Sequence, residues 1–331
     1  MRPFAYARPE SIDEALARSG GDSVRFLAGG TDLLTLMKQE IATPDQLIDI
    51  KRLADLDDLV ELTPEGLKIG ALATLSQLQG DPLVRDTHPA LAEAIEVAAT
   101  PQLRNMATIG GNLLQRPRCW YFRNSLVHCW LKGGEECQAV EGENQHHALF
   151  GDSPCHATHP SDPATALLAL DASLNLRGPG GERNVPLSEF FALPEDARRT
   201  ENTLQPDELV VSILIPNRPP TAQSTYLKAM DRKAWSFALV GVAALLVMDD
   251  NQKIADARLV LGGVAPIPWR VPAAERLLIG ASPSPSLFAQ AAEVALEQAK
   301  PLSHNGYKIP LARTLIQRAL EAAATPELVD D

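Results

Sequence analysis

The sequence lacks most of the signatures that assign a chemistry at sight. It has no G-x-S-x-G elbow, no H-E-x-x-H pair and no paired Glu/Asp constellation, which removes the common hydrolase mechanisms. No uncharged apolar run approaches bilayer length, so no membrane-spanning helix is expected. Thirty basic residues face 42 acidic ones, a net charge of −12 with no basic cluster, which argues against a nucleic-acid partner. The opening MRPFAYARPESIDEA has no apolar signal core and meets acidic residues at once. Any export is expected to ride on a partner. Cysteine is missing from everything outside residues 119–155.

That last absence points to what is present. All four cysteines (Cys119, Cys129, Cys137, Cys155) and five of the seven histidines fall in the stretch that opens with the glycine turn TIGGNLLQ and closes with HPSDPA. Four thiolates suit a tetrahedral zinc or a [4Fe-4S] cluster. The spacing C-x9-C-x7-C-x17-C has neither paired C-x2-C knuckles nor a ferredoxin run, so it points to a metal without choosing one. Two disulfides or four buried thiols are the alternatives, the first requiring an oxidising compartment. His146 and His147 are adjacent, which points their rings apart, and the clustered histidines read as mostly structural or solvent-facing, with a histidine cluster ligand as the alternative.

At 331 residues, 45% hydrophobic and 22% charged, the chain has room for two or three soluble domains. Ser11 with Glu14 reads as a capping box opening a first helix that Gly20-Gly21 ends. The strand VRFL (24–27) runs into Ala28-Gly29-Gly30-Thr31-Asp32 and then a helix. Such a turn lets backbone N–H groups converge on a phosphate, although a plain tight turn uses the same letters and the dinucleotide fingerprint G-x-G-x-x-G is missing. LIDI (47–50) and LKIGALATL (67–75) read as strands, the glycine of the second marking a bend or close approach. Residues 89–100 read as an amphipathic helix stopped by Pro101, followed by a second glycine turn, RNMATIGGN (104–112). Residues 164–171 read as a helix, 172–177 with NVPL as a hairpin, and 208–216 as a buried strand. The region after Asn217, with Pro219-Pro220, is the expected boundary. Beyond it, 235–248 and 257–263 suggest strands and 286–300 and 311–324 helices.

FLAGGTDLL, LIDIKRL, IGALATL, RNMATIGGNL and SDPATALLALDA, in that order, resemble the FAD-binding subunit of the molybdenum hydroxylases. The resemblance covers essentially the whole chain. It implies an α+β protein with a two-lobed FAD-binding domain (1–218) and a small α+β C-terminal domain (223–331) of the CO dehydrogenase flavoprotein type. By resemblance, Phe26, Leu27, Ala28, Gly29, Gly30, Thr31, Asp32 and Leu33 wrap the FAD diphosphate. Thr108, Gly111 and Asn112 form a second cradle flanked by Thr100 and Arg104, with Ile109 near the isoalloxazine ring. Ser161 and Asp162 reach the adenosine or ribityl side, and Lys228 reaches the flavin across the domain interface. FAD is expected to be noncovalent.

Most relatives join the GGN turn directly to the SDP segment, whereas this chain inserts about residues 115–158, as the flavin subunits of periplasmic aldehyde oxidoreductases do. In such relatives the insertion holds a [4Fe-4S] cluster, which moves the metal reading to Cys119, Cys129, Cys137 and Cys155 as iron ligands. The insertion is expected to be pinned at both ends beside FAD, with a tip long enough to carry the cluster away from the ring. The resemblance further implies an electron-transfer role in a heterotrimer with a molybdenum-cofactor large subunit and a [2Fe-2S] small subunit, with a periplasmic location. A 4-hydroxybenzoyl-CoA reductase-like subunit, a free-standing flavin oxidase, a metal-stapled scaffold without flavin and a cytoplasmic location are the alternatives.

Overall fold

The computed structural model describes residues 1–21, 23–233 and 235–325; residues 326–331 of the expected C-terminal domain lie outside them. Three sheets follow one another along the chain. The first is parallel, in the order β1-β3-β2, from β1 (Ala5–Ala7), β2 (Val24–Leu27) and β3 (Gln46–Asp49). Parallel neighbours need crossovers, and helices α1 (Ile12–Ala17) and α2 (Leu33–Lys38) supply them. Ser11 caps α1 by accepting from Glu14 N–H, but the Glu14 carboxylate takes the N–H of Glu10. Half of the expected capping box therefore forms.

The second sheet is antiparallel, in the order β4-β5-β8-β6-β7. Its strands are β4 (Val60–Thr63), β5 (Gly66–Gly70), β6 (Ser173–Gly178), β7 (Gly181–Pro186) and β8 (Leu209–Pro216). Strand β5 stops earlier than its apolar run suggests. At Gly70 a β-carbon would lie 2.1 Å from Asp57 Oδ1 and 2.4 Å from Asp57 O, the close approach expected of that glycine. Short helices fill one end of this lobe: α3 (Leu75–Gly80), α4 (Pro82–Thr87), α5 (Pro89–Glu96), α6 (Pro101–Arg104), α7 (Ile109–Leu113), α8 (Asp162–Ala169) and α9 (Leu187–Phe190).

Helix α5 ends four residues before Thr100, where the pattern placed its end, and the cause is visible. Arg104 Nη1 donates to Glu96 O and Ala98 O, and Lys228 Nζ donates to Val97 O. Cations thus satisfy the terminal carbonyls, as favours a helix C-terminus. Thr100 instead caps α6, accepting from Leu103 N–H.

The third sheet, order β12-β11-β10-β9, comprises β9 (Ala222–Ala229), β10 (Val240–Met248), β11 (Ile254–Gly262) and β12 (Trp269–Arg270), packed with α10 (Pro272–Leu278), α11 (Pro285–Leu296) and α12 (Lys308–Ala324). Alternate side chains of β10 serve different cores. Ala243, Leu245 and Val247 enter the core shared with the second sheet, while Val242, Ala244 and Leu246 enter the one beneath α11 and α12. With both faces buried, β10 reads as an unbroken apolar run, and the C-terminal unit is fused to its neighbour through it. No helix among the described residues is long and apolar enough to cross a membrane.

Candidate functional site

A cleft of about 710 Å³ opens between the first and second sheets, within the range of sites that enclose a sizeable organic ligand. Phe26, Leu27, Ala28, Gly29, Gly30, Thr31, Asp32 and Leu33 line one side; Thr108, Gly110, Gly111 and Asn112 line the other. The two turns touch. A β-carbon at Gly29 would fall 1.8 Å from Met106 O, so only glycine permits this approach. Gly30 has φ +72°, a conformation that L side chains disfavour. Among the described residues, the amides of Gly29, Gly30, Thr31 and Asp32 donate to no acceptor within the chain. Buried or half-buried amides usually find partners, so four in succession form a cradle that an anion would satisfy. The helices that follow the turns, α2 and α7, have six and five residues, so the amides rather than a helix dipole carry this capacity.

The insertion begins beside the cleft, where its ends were expected to be pinned. Its first part folds back onto the rim, and Arg116, Arg118 and Phe122 line the cleft. Asp32 is the fastening point: it accepts from Arg116 N–H at 2.9 Å, and pairs with Arg118 and Arg123 at 2.9 and 2.8 Å. Burial pushes the Arg118 guanidinium down to about 10, with the charge of Asp32 opposing the shift. Thr200, Asn202 and Gln205 complete the rim. Sequence patterns gave no warning of these residues, because packing rather than local spacing brings them there.

The remaining expected contacts lie behind the second turn, outside the cleft lining. Ile109 is fully buried in the core. Arg104 is buried among Gln79 Oε1 and the carbonyls that close α5. Ser161 caps α8 and donates to Asn112 Oδ1 at 2.5 Å, which braces the second turn. Asp162 and Lys228 meet in a buried ion pair of 2.8 Å, and Tyr226 Oη, a partner the sequence did not suggest, donates to Asp162 at 2.6 Å. Burial pushes Asp162 above the usual carboxylate range while Lys228 and Tyr226 pull it back. Burial, then the charge of Asp162, holds Tyr226 well above an ordinary phenol.

The four cysteines are free. Cys129 and Cys155 are buried in a small core with Leu36, Phe122, Trp130, Leu131 and Ala157, with Cys119 packed against it. Burial raises the Cys119 thiol to about 11 and Cys155 further, and charge on Cys137 would raise both. The thiols thus share one neighbourhood. Among the described residues, however, no three of His, Cys, Asp and Glu are arranged to hold a single metal ion. His147 was read as structural, yet its Nε2 lies 3.2 Å from Cys119 Sγ.

From residue 149 onwards, on both sides of Cys155, the segment is clamped to the C-terminal unit. Leu149 and Phe150 N–H donate to Val264 O, and the Phe150 ring stacks on Trp269 with centroids 5.5 Å apart. His159 donates its N–H to Ala265 O, and its buried ring meets the Phe191 ring edge-on. Burial pushes that imidazole down to about 3. An unfolded histidine therefore takes up a proton first as the pH falls, so stability is whole above about 6.5 and declines towards 3, by roughly 1.4 kcal/mol per pH unit. Urea unfolding between pH 7 and 4.5 is expected to show this loss, and His159→Gln to flatten the slope by about one proton. Equal slopes for the two proteins would remove His159 from the account.

Comparison with known proteins agrees with this geometry. Residues 2–218 match the FAD binding domain in molybdopterin dehydrogenase, and residues 225–323 the CO dehydrogenase flavoprotein C-terminal domain. The chain is 40% identical over 331 residues to the aldehyde oxidoreductase FAD-binding subunit PaoB of Escherichia coli (strain K12), covering 98% of this chain and 99% of that one. It is 30% identical to the carbon monoxide dehydrogenase medium chain of Hydrogenophaga pseudoflava, over 97% and 96% of the two chains. A solved structure of carbon monoxide dehydrogenase from that organism, lacking the Mo-pyranopterin moiety of the molybdenum cofactor, superposes with a TM-score of 0.77 at 28% identity, over 97% of each chain. A whole-length match of this kind, on a cleft built from two touching glycine turns, makes the chain an oxidoreductase subunit that belongs to the FAD-binding subunits of the molybdenum hydroxylase family.

Proposed function

We propose that this chain is the FAD- and [4Fe-4S]-containing electron-transfer subunit of a molybdenum-dependent aldehyde oxidoreductase. It works beside a molybdenum-cofactor large subunit and a [2Fe-2S] small subunit, in a complex exported on a partner's signal. The observation that carries the flavin part is the row of four unpaired amides, Gly29 to Asp32, opposite Gly111 across the cleft. When bound, FAD supplies a junction that accepts electrons singly and releases them singly or in pairs. The protein's task is to hold the diphosphate on the two turns, with Phe122 and Arg116 at the rim. The carboxylates that line the cleft, Asp32 and Glu208, are both held by arginines, which supports substrate oxidation in a partner.

The cluster part rests on a donor set of four free thiols gathered in one segment and one neighbourhood, Cys119, Cys129, Cys137 and Cys155. Each thiolate of such a cluster binds a different iron, so the four thiols have to surround a cluster-sized space rather than close on one point. The protein purified with its accompanying subunits is expected to hold one FAD and, in this chain, about four irons. Metal analysis with low-temperature electron paramagnetic resonance of the reduced protein checks this, and molybdenum in the same preparation checks the partner. Stoichiometric zinc without iron overturns the cluster, and a preparation without flavin overturns the cofactor.

A further inference from the structure

Three guanidinium groups of the insertion crowd the rim of the cleft, and only two carboxylates pair with them. Arg118 and Arg123 both approach Asp32 Oδ1, and Arg116 Nε stands 3.0 Å from Glu201 Oε2. Arginine keeps its charge in proteins, so the cluster carries one positive charge in excess. Arg123 is the most enclosed; its Nε and Nη2 donate to Pro117 O and Arg116 O, and its buried Nη1 has no acceptor. Arg116 is engaged by Glu201 and lies over the Phe122 ring at 5.0 Å.

Arg118 is different. It lines the cleft with 30% of its side chain exposed and shares its only carboxylate, Asp32, with Arg123; a second nitrogen goes to Gln115 Oε1, and its buried Nε, like Arg116 Nε and Arg123 Nη1, has no hydrogen-bond acceptor. Its guanidinium also lies over the ring of Phe237, at 4.9 Å, from the loop between β9 and β10. The insertion, the first glycine turn and the C-terminal unit therefore meet on this one side chain.

We propose that Arg118 is a diphosphate-binding residue. Held at the rim by Asp32 and Phe237, its planar fork faces an anion seated on the amides of Gly29, Gly30, Thr31 and Asp32. The amides supply neutral donors, and Arg118 supplies the full charge that they lack. This inference rests on the flavin reading above, and it gives the inserted segment a part in holding the cofactor that is separate from its sulfur chemistry.

The test uses the full-length protein, purified with its accompanying subunits, stripped of flavin and titrated with FAD by fluorescence. Arg118→Gln is expected to raise the FAD Kd on the order of 10- to 100-fold, the worth of a charge-assisted contact. Arg118→Lys should recover part of that loss. Inorganic pyrophosphate should compete with FAD in the wild type and lose most of its competition in Arg118→Gln, while the flavin midpoint potential stays unchanged. An Arg118→Gln Kd within about twofold of wild type overturns the assignment. So does a shifted potential with an unaltered Kd, which places the guanidinium at the ring instead. Should Arg118→Gln fail to fold by circular dichroism, wild-type pyrophosphate competition decides, and its absence overturns the proposal. A wild type that takes up no FAD defeats the flavin reading and this inference together; a wild type matched by its variant defeats this inference alone.

Discussion

Gly29→Ala is expected to strip the protein of flavin and to lower its stability at the same time. The added methyl would stand 1.8 Å from Met106 O and 2.7 Å from Met106 C, which are backbone atoms and cannot swing aside as a side-chain end can. The two turns must separate by more than an ångström, at an overpacking cost of about 1–3 kcal/mol. A diphosphate cradle that needs both turns loses its geometry, and FAD retention should fall by roughly tenfold or more, since each 1.4 kcal/mol is a factor of ten. Gly111→Val separates the two effects. Its β-carbon meets only Thr108 Oγ1, at 2.9 Å, and otherwise faces the cleft. That variant should unfold near the wild-type urea midpoint yet emerge colourless. Full flavin in Gly111→Val would mean that the second turn does not border the cofactor.

The other large effect belongs to the buried pair behind that turn. Asp162→Ala leaves the Lys228 ammonium, with 1% of its side chain exposed, facing only Val97 O, and removes the acceptor of Tyr226. Breaking one side of a buried pair costs about 3–5 kcal/mol, because the remaining charge keeps its desolvation penalty without its partner. Lys228→Met should cost a similar amount by exposing the opposite charge. The double variant should recover much of the loss, since two apolar groups carry no unpaired charge. Chemical unfolding of the four proteins gives the cycle. Single-variant losses that simply add in the double would show that the two groups do not act on each other. Because Asp162 starts α8 and Lys228 sits on β9, the pair also welds the two units together.

What the sequence made legible was what neighbouring residues dictate. VRFL before a double glycine gave β2 with its observed limits, and the glycine turns could be read because their backbone demands are local. Strand β1, three residues long, carries no period and exists because β3 offers it a parallel edge. Helix α10 was missed for a related reason. Its N-cap, Val271, makes no side-chain bond, so no capping signal precedes Pro272. At the site, Asp32 was expected as a cofactor residue, but its bonds run to residues 84 and 91 positions away, a distance no spacing rule spans. Tyr226 pairs with Asp162 across 64 residues for the same reason.

The clamp that seats the insertion sets an order of events during synthesis. Asn144 bonds Ser303 and His304, Asn305 donates to His147 O and Ala148 O, and the buried Lys308 ammonium donates to His147 O, contacts spanning 157 to 161 residues. None can form until residues 303–308, just before and at the start of the last helix, have been made. At roughly 5–20 residues per second, a ribosome needs on the order of ten seconds to add that length. For that interval the first two sheets can fold and hold the start of the segment at Asp32, while its stretch around residues 144–148 lacks its C-terminal partners. Closing so long a loop is also entropically slow. Any group delivered to those sulfurs therefore has its easiest access before the C-terminus arrives, and the final helix, by docking, shuts the door behind it.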